Sequence, residues 1–135
     1  MTVNQVSVFI ENRQGRLGEV LQVLKDNDVN ILSISLADTT EYGLLRLITA
    51  DNEKAQEVLK AESLIFTQTP VLAVAIDDKA GALTDLLEIF ASNDINVHYM
   101  YSIFGHQDGK AYMIMQVEDA EKDAELVSMI SGLPQ

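Results

Sequence analysis

The sequence has 135 residues, which is room for one average domain or two small ones, and 47% of them are hydrophobic, enough for a packed core. Nine Lys and Arg residues against 21 Asp and Glu residues give a net charge of −12. This charge argues against general nucleic-acid binding and against docking on anionic lipid, because both depend on cationic side chains. It suits a small ligand with a cationic group, or serves solubility alone.

The first half of the chain begins with a predicted strand over residues 3–10, rich in Val, Phe and Ile. A polar joint, ENRQGRL, follows at residues 11–17. The next apolar residues recur at i, i+3, i+4 and i+7, which predicts one face of an amphipathic helix. These residues are Leu17, Val20, Leu21 and Leu24. We expect the segment DND to end this helix, because Asn tolerates the left-handed conformation of many helix ends.

The remaining elements of this half follow in order. VNILSISLA, residues 29–37, and GLLRLITA, residues 43–50, predict two strands joined by a turn. DNEKAQEVLK predicts a short helix with Asp51 or Asn52 as its N-cap. SLIFTQT, residues 63–69, predicts a fourth strand. The order β-α-β-β-α-β is that of a ferredoxin-like unit, an α+β fold with an antiparallel sheet and two helices on one face.

The chain is a duplication, because its halves align without a gap at an offset of 66 residues. The matched identities include Val8–Val74, Ile10–Ile76, Gly15–Gly81, Leu21–Leu87, Asn27–Asn93, Asp28–Asp94, Asn30–Asn96 and Gly43–Gly109. The sequence therefore predicts two tandem units, residues 1–69 and 70–135, packed as a pseudo-dimer. By the same offset, residues 130–135 should form the last strand, but Gly132 and Pro134 are poor strand residues. We expect that strand to be missing, borrowed or very short.

The repeated joint is a candidate site. A strand that runs through Gly into a helix start exposes backbone N–H groups where the helix dipole is positive. Such a joint can hold a carboxylate or phosphate, and Gly15 and Gly81 would let the backbone approach the ligand. The alternative interpretation is a tight turn that requires Gly for conformational reasons only.

The segments ENRQGRLGEVLQVLKDNDVNI and DDKAGALTDLLEIFASNDINV resemble the ACT domain. This family is a regulatory module that binds amino acids in many enzymes of amino-acid metabolism. The shared pattern is a strand, a polar loop with Gly, an L..V...L helix, and a VNI-type start of the second strand. The resemblance covers both halves. It implies a free amino acid as ligand and, since no catalytic domain accompanies the repeat, a separate partner such as an enzyme of amino-acid metabolism.

The resemblance also implies contact residues. A loop Asn and an Asn that opens the second strand contact the ligand in serine-binding members; the matches are Asn12, Asn30 and Asn96. Those members have a His where this chain has Ile10, and Asp78 replaces the loop Asn in the second copy, so the two sites should differ. The complete predicted site is Glu11, Asn12, Arg13, Gly15, Arg16, Leu17, Asn30, Ile31, Asp77, Asp78, Lys79, Gly81, Ala82, Leu83, Asn96 and Val97.

The charged members of this set have two interpretations each. The three acidic residues could pair with an α-ammonium group or could lie in a solvated loop. The three basic residues could clamp a carboxylate, for which Arg is well suited, or could be ordinary surface charges. These are Glu11, Asp77 and Asp78, and Arg13, Arg16 and Lys79.

The second strands of the two copies differ in side-chain character. If Leu32, Ile34 and Leu36 lie under the helices, alternation places Val97, Tyr99, Tyr101 and Ile103 on the helix-free face. An apolar patch there would need another sheet or a second chain to cover it, or would form an aromatic wall for a ligand.

Catalytic and metal motifs are absent from the sequence. There is no Cys, no Walker loop and no GxSxG, and the two histidines, His98 and His106, have no metal-ligand spacing. We therefore expect no cofactor and no enzyme activity. The predicted function is a cytoplasmic regulatory protein, a homodimer, that senses a free amino acid at the domain interface. The alternative is a protein-interaction module without a small ligand; an enzyme comes third.

Overall fold

The structure, a computed structural model, describes residues 2–38, 41–103 and 109–131, with side chains described to residue 125. Six strands and four helices occupy these residues. The strands are β1 (Thr2–Glu11), β2 (Ile31–Asp38), β3 (Tyr42–Thr49), β4 (Ile65–Asp77), β5 (Tyr99–Ser102) and β6 (Lys110–Gln116). The helices are α1 (Arg16–Asp26), α2 (Asn52–Ala61), α3 (Ala82–Ser92) and α4 (Ala120–Ser131).

The first compact unit comprises Asn4–Thr69. Its strand order is β2-β3-β1-β4, and β3 pairs antiparallel with both β1 and β2. The apolar residues of β1 alternate, so that Val6, Val8 and Ile10 join one core with the buried faces of α1 and α2. This confirms the predicted α+β, ferredoxin-like architecture for the first half.

The second compact unit comprises Pro70–Gln135 together with Met1–Val3. Its strands follow the order β4-β6-β5, and both pairings are antiparallel. Its core repeats that of the first unit: Phe90 of α3 is buried where Leu24 lies in α1. The second half therefore has the same ferredoxin-like plan.

The predicted boundary between the fourth strand and the second half falls inside a single element. β4 runs without interruption from Ile65 to Asp77 and contains Pro70. Residues 130 and 131, where the repeat would place a last strand, belong to helix α4, so no strand begins there, and residues 132–135 lie outside those that the structure describes. Met1–Val3 group with the second unit.

Helices α1 and α3 end in the same way. We had predicted that Asn would adopt the left-handed conformation at these ends, but Asp adopts it instead. Asp28 and Asp94 both have a φ of 56°, in the left-handed region. Asn27 and Asn93 instead donate side-chain hydrogen bonds of 2.8 Å to carbonyls one turn back, at Val23 and Ile89. The Val29 N–H reaches the Leu24 carbonyl and the Asp28 N–H reaches the Lys25 carbonyl, which is a Schellman ending.

A β-bulge changes which residues of β2 face the helices. The pairing with β3 shifts between Ile31 and Ser33, so Ile31 and Ile34 both pack against the core. Leu32 and Leu36 were expected under the helices, but their side chains are 37% and 51% exposed, although Leu36 lies opposite the core residue Leu45 of β3.

The second copy keeps this three-residue spacing, because Val97 and Met100 pack against its core. Val97 thus does not share a face with the tyrosines, as strict alternation had suggested. Tyr99 and Tyr101 are half-buried.

After β6, equivalent positions in the two halves are no longer separated by 66 residues. The carboxylate of Asp51 caps α2 by accepting from the Lys54 N–H at 3.1 Å, as the sequence predicts. In the second unit, Asp119 accepts from the Lys122 N–H at 3.2 Å. Asp119 corresponds to Glu53 rather than to Asp51 at the offset of 66, so the second cap lies two residues later.

Candidate functional site: the duplicated strand–loop–helix joints

The two joints share one backbone structure. Gly15 and Gly81 are the N-cap residues of α1 and α3, with φ of 85° and 86° and ψ of −11° in both. In the first joint the Arg13 N–H donates to the Glu11 carbonyl and the Arg16 N–H to the Arg13 carbonyl, at 2.9 and 3.2 Å.

The second joint repeats both hydrogen bonds. The Lys79 N–H donates to the Asp77 carbonyl and the Ala82 N–H to the Lys79 carbonyl, at 2.9 and 3.3 Å. The loop conformation is therefore inherited from the duplicated sequence.

The glycines are required by conformation and not by close packing within the chain. A Cβ added at Gly15 or Gly81 would meet no described atom within 4 Å, whereas φ near 85° is strained for residues with side chains. The first N–H groups of each helix have no partner inside the helix. Each joint therefore presents helix N–H groups beside open space.

The cationic side chains of the first joint form ion pairs with acidic residues of the same chain. Both terminal nitrogens of Arg13 donate to the Glu19 carboxylate, at 3.2 and 2.9 Å. Arg16 donates to Glu11 through Nε and to Glu19 through a terminal nitrogen at 3.1 Å. The two arginines that could clamp a ligand carboxylate thus hold carboxylates of the chain itself.

These contacts perturb the titration of the acidic groups. A backbone hydrogen bond and the Arg16 guanidinium lower the pKa of Glu11, and Arg13, followed by Arg16, lowers the pKa of Glu19. The same contacts, led by that with Glu11, raise the pKa of Arg16. Glu11, Glu19 and Arg16 are therefore charged near neutral pH.

The second joint has a different set of charges. Asp77 pairs with Lys110 of β6 and, at 3.8 Å, with Lys79 of the loop. Lys110 is the main cause that lowers the pKa of Asp77. The Asp78 N–H donates to the Gly109 carbonyl at 2.8 Å, which ties the loop to the start of β6. Asp77 and Asp78 therefore have roles within the unit besides any contact with an ammonium group.

A cleft of about 160 Å³ opens beside the second joint. Its floor is apolar and charges of both signs lie at its rim, a combination typical of small-molecule sites. The lining residues are Ile76, Asp77, Lys79, Ala82, Asp85, Leu86 and Ile89. Sequence reasoning named three of these, Asp77, Lys79 and Ala82, and missed Ile76 of β4 and the later α3 residues Asp85, Leu86 and Ile89. The signal for Asp85 was its match with Glu19, one turn after the glycine.

The other predicted residues are distributed over several places. Asn30 and Ile31 line a separate cleft of about 390 Å³ at the start of β2, together with Lys25. Asn96 lines an acidic cleft of about 650 Å³ near the start of α4.

Several predicted residues do not lie in these clefts. Leu17, Leu83 and Val97 pack against the two cores, and Asn12 is exposed in its loop. Within each unit, the structure thus separates the predicted strand-opening residues from the glycine loops.

The described residues contain no group of three or more His, Cys, Asp and Glu side chains that could hold a metal ion. Within the same ranges, no helix combines the length and the apolar character needed to cross a membrane.

The fold and the repeated joints define a tandem pair of ferredoxin-like units, each with a glycine-capped strand–loop–helix joint. The family model described as an ACT domain pair matches residues 1–132, and the chain belongs to this family. A comparison with curated protein sequences gives no match.

Solved structures similar to this chain span nearly its whole length. A protein from Bacteroides thetaiotaomicron is 27% identical with a TM-score of 0.89, covering 98% of this chain and 90% of that one. The regulatory subunit of aspartate kinase from Thermus flavus is 14% identical with a TM-score of 0.67, covering 94% and 90%. The corresponding subunit from Thermus thermophilus is also 14% identical, with a TM-score of 0.61 and 96% coverage of both chains. At these identities the two subunits show a shared fold.

Proposed function

We propose that this protein is a non-catalytic cytoplasmic regulator that binds a free amino acid and modulates a separate partner, for example an enzyme of amino-acid metabolism. The observation that carries the proposal is the cleft beside the second joint, in a chain that belongs to the ACT domain pair family. The solved regulatory subunits of aspartate kinase with this fold support a regulatory role. We propose a homodimer as the working form.

The cleft suits the chemistry of an amino acid. The helix N–H groups after Gly81 and the Lys79 ammonium can receive an α-carboxylate. Asp85 can receive an α-ammonium group from the first turn of α3. Leu86 and Ile89 offer apolar surface to a side chain. A ligand that lacks the ammonium group would lose the contact with Asp85.

The two joints are not equivalent in this proposal. The arginines of the first joint already hold Glu11 and Glu19, so a ligand carboxylate would compete with carboxylates of the chain. At the second joint the Lys79 ammonium lies 3.8 Å from Asp77 in one exposed pair, which a ligand displaces more readily. We therefore propose tighter binding at the second joint.

The test is a thermal-shift screen against the twenty amino acids and the related keto acids at millimolar concentration. A ligand at 100 times its dissociation constant stabilises the folded state by about 2.7 kcal/mol. We expect at least one amino acid to raise the melting temperature and its keto acid to have a much smaller effect. No shift across the whole panel would contradict the proposal.

The location is tested with matched variants at equivalent positions. Asp85→Ala should abolish the shift, whereas Glu19→Ala, at the matching place in the first joint, should preserve most of it. Loss of the shift in Glu19→Ala with an intact response in Asp85→Ala would transfer the site to the first joint. Isothermal titration would give the number of ligands bound per chain.

A second candidate function is a protein-interaction module without a small ligand. The ion pairs of the first joint favour it, because they neutralise the arginines that ligand binding would use. In that case pull-down of a partner would be unaffected by Asp85→Ala.

A further inference from the structure

Arg16 and Ala82 occupy the same position in the two joints, and this difference coincides with the open cleft. Each is the first residue of its helix, directly after the glycine N-cap, and the two positions match at the offset of 66 residues. Ala82 lines the cleft beside the second joint. Because the two loops share their backbone conformation, the side chain of Arg16 begins at the place in the first joint that corresponds to the edge of this cleft.

The side chain of Arg16 lies along the first joint instead of extending into solvent. It is 21% exposed, whereas the side chains of its two partners, Glu11 and Glu19, are 64% and 51% exposed. The matches of these partners in the second half are Asp77 and Asp85, which both line the open cleft. The guanidinium of Arg16 therefore bonds to the two carboxylates whose counterparts line the cleft.

Asp85 lacks the cationic partners that its match Glu19 has. Glu19 accepts hydrogen bonds from both arginines of the first joint. In the second joint one of these arginines is replaced by Ala82 and the other by Lys79, whose ammonium lies 3.8 Å from Asp77 instead. Within the part of the chain that the structure describes, no ion pair involves Asp85. The open cleft thus contains a carboxylate that has no cation beside it.

We propose that Arg16 fills in the first joint the place that a ligand takes in the second, so that the open cleft binds a cationic group on a short aliphatic stem. The cation lies at Asp85, and the residue at position 16 or 82 decides whether its joint is open. Beyond the Cβ that Ala82 retains, the missing part of an arginine side chain is an ethylguanidinium group. Its methylene groups suit the apolar floor formed by Leu86 and Ile89, and its donors suit a carboxylate.

This inference rests on the proposed function for the place of the ligand. It adds which chemical group of the ligand the cleft recognises, and it explains why the first joint is closed by the chain itself. The positive charge can come from an ammonium group or from a guanidinium side chain, and both can bind Asp85. Small probes that carry one group or the other distinguish these two sources.

The first test is an NMR titration of the ¹⁵N-labelled full-length chain with ethylguanidinium, ethylammonium and the neutral analogue ethylurea, at millimolar concentration and constant ionic strength. We expect the amide signals of Gly81 and Asp85 to shift and saturate with a cation, and those of Gly15 and Glu19 to stay in place. The cation that binds more tightly identifies the source of the charge. No saturable shift with either cation, or an equal shift with ethylurea, would overturn the proposal.

The second test exchanges the residues at the two matching positions. Ala82→Arg should weaken cation binding at the second joint at least about tenfold, because the chain then supplies its own charge-assisted hydrogen bonds to Asp85. Arg16→Ala should give the first joint a saturable response that the wild type lacks. Thr84→Arg is the matched control, since it adds the same charge at an exposed position of α3 that does not line the cleft.

The outcomes separate this inference from the proposed function. A thermal shift by an amino acid that Ala82→Arg leaves unchanged would keep the proposed function and overturn the role of position 82. A first joint that stays unresponsive in Arg16→Ala, while the second joint of the same variant binds the cation, would overturn the role of Arg16. Saturable cation binding without any amino-acid response would support the cation site and contradict the amino-acid ligand.

Discussion

Gly15 and Gly81 lie 66 positions apart and hold the same left-handed backbone conformation, with φ of 85° and 86°. We predict that Gly81→Ala destabilises the fold by about 1–2 kcal/mol, because a Cβ is strained at this φ even where space is open. Gly81→Asn should cost less, since Asn tolerates the left-handed region. Urea unfolding measures both.

Gly18 provides the matched control for these variants. It lies inside α1, without a positive φ, and a Cβ there would meet no described atom within 4 Å. Gly18→Ala should therefore stabilise the protein by roughly 0.5–1 kcal/mol. Equal effects of Ala at positions 18 and 81 would show that the left-handed conformation is not retained in solution.

The duplicated helix ends predict two stabilising substitutions. Asp28 and Asp94 hold a φ of 56° at the C-termini of α1 and α3, where both the left-handed conformation and the helix dipole disfavour them. Asp28→Gly and Asp94→Gly should each raise the free energy of unfolding by about 1 kcal/mol. Thermal denaturation would measure the gain. Asp28→Ala, which removes the charge but keeps the strain, should gain less than Asp28→Gly; the reverse order would contradict this explanation.

Equivalent core positions should be equally intolerant of truncation. Leu24 is 0% exposed and Phe90 is 1% exposed, at matching places on α1 and α3. Leu24→Ala should cost about 2–5 kcal/mol and Phe90→Ala about 3–5 kcal/mol, because each leaves a cavity. Leu87→Ala, at a partly exposed site, should cost much less. Denaturant titration of the three variants would test the order, and a small loss at Phe90 would contradict the second core.

Lowering the pH should remove the stabilisation that the ion pairs of the first joint give to the folded state. The folded-state pKa values of Glu11 and Glu19 lie below their ordinary value of 4.5. The stabilisation is therefore complete above that value and is lost as the pH falls through the lowered folded-state pKa values. The difference in melting temperature between wild type and the double variant Glu11→Gln, Glu19→Gln should shrink on acidification and at high salt. Glu57→Gln, on the exposed face of α2, is the control; a difference that grows in acid would contradict the assignment.

Local sequence signals were sufficient for the elements and for the repeat. The apolar period from Leu17 to Leu24 specified α1, and the match of Gly15 with Gly81 specified the joints. The bulge in β2 was not predictable, because it depends on pairing with β3 and moves Leu32 out of the alternating pattern.

Identical residues at matching positions of the two halves are also required for different reasons. Gly43 is buried beside Ile10, whose Cγ1 would lie 3.3 Å from an added Cβ, whereas its match Gly109 is required by a φ of 70°. The ion pairs of the first joint were missed for a related reason. The sequence shows which charges are close along the chain, but whether Arg13 binds Glu19 or a ligand depends on the loop conformation.

The grouping of Met1–Val3 with residues 70–135 has a consequence for the order of biosynthesis. Met1–Val3 are made before Asn4–Thr69, yet they belong to the unit whose other residues are made after it. Asn4–Thr69 can condense as soon as it emerges, while Thr2 and Val3 have no unit to join until translation has passed α4. The second unit is therefore completed only when a segment made before the first unit meets residues made after it.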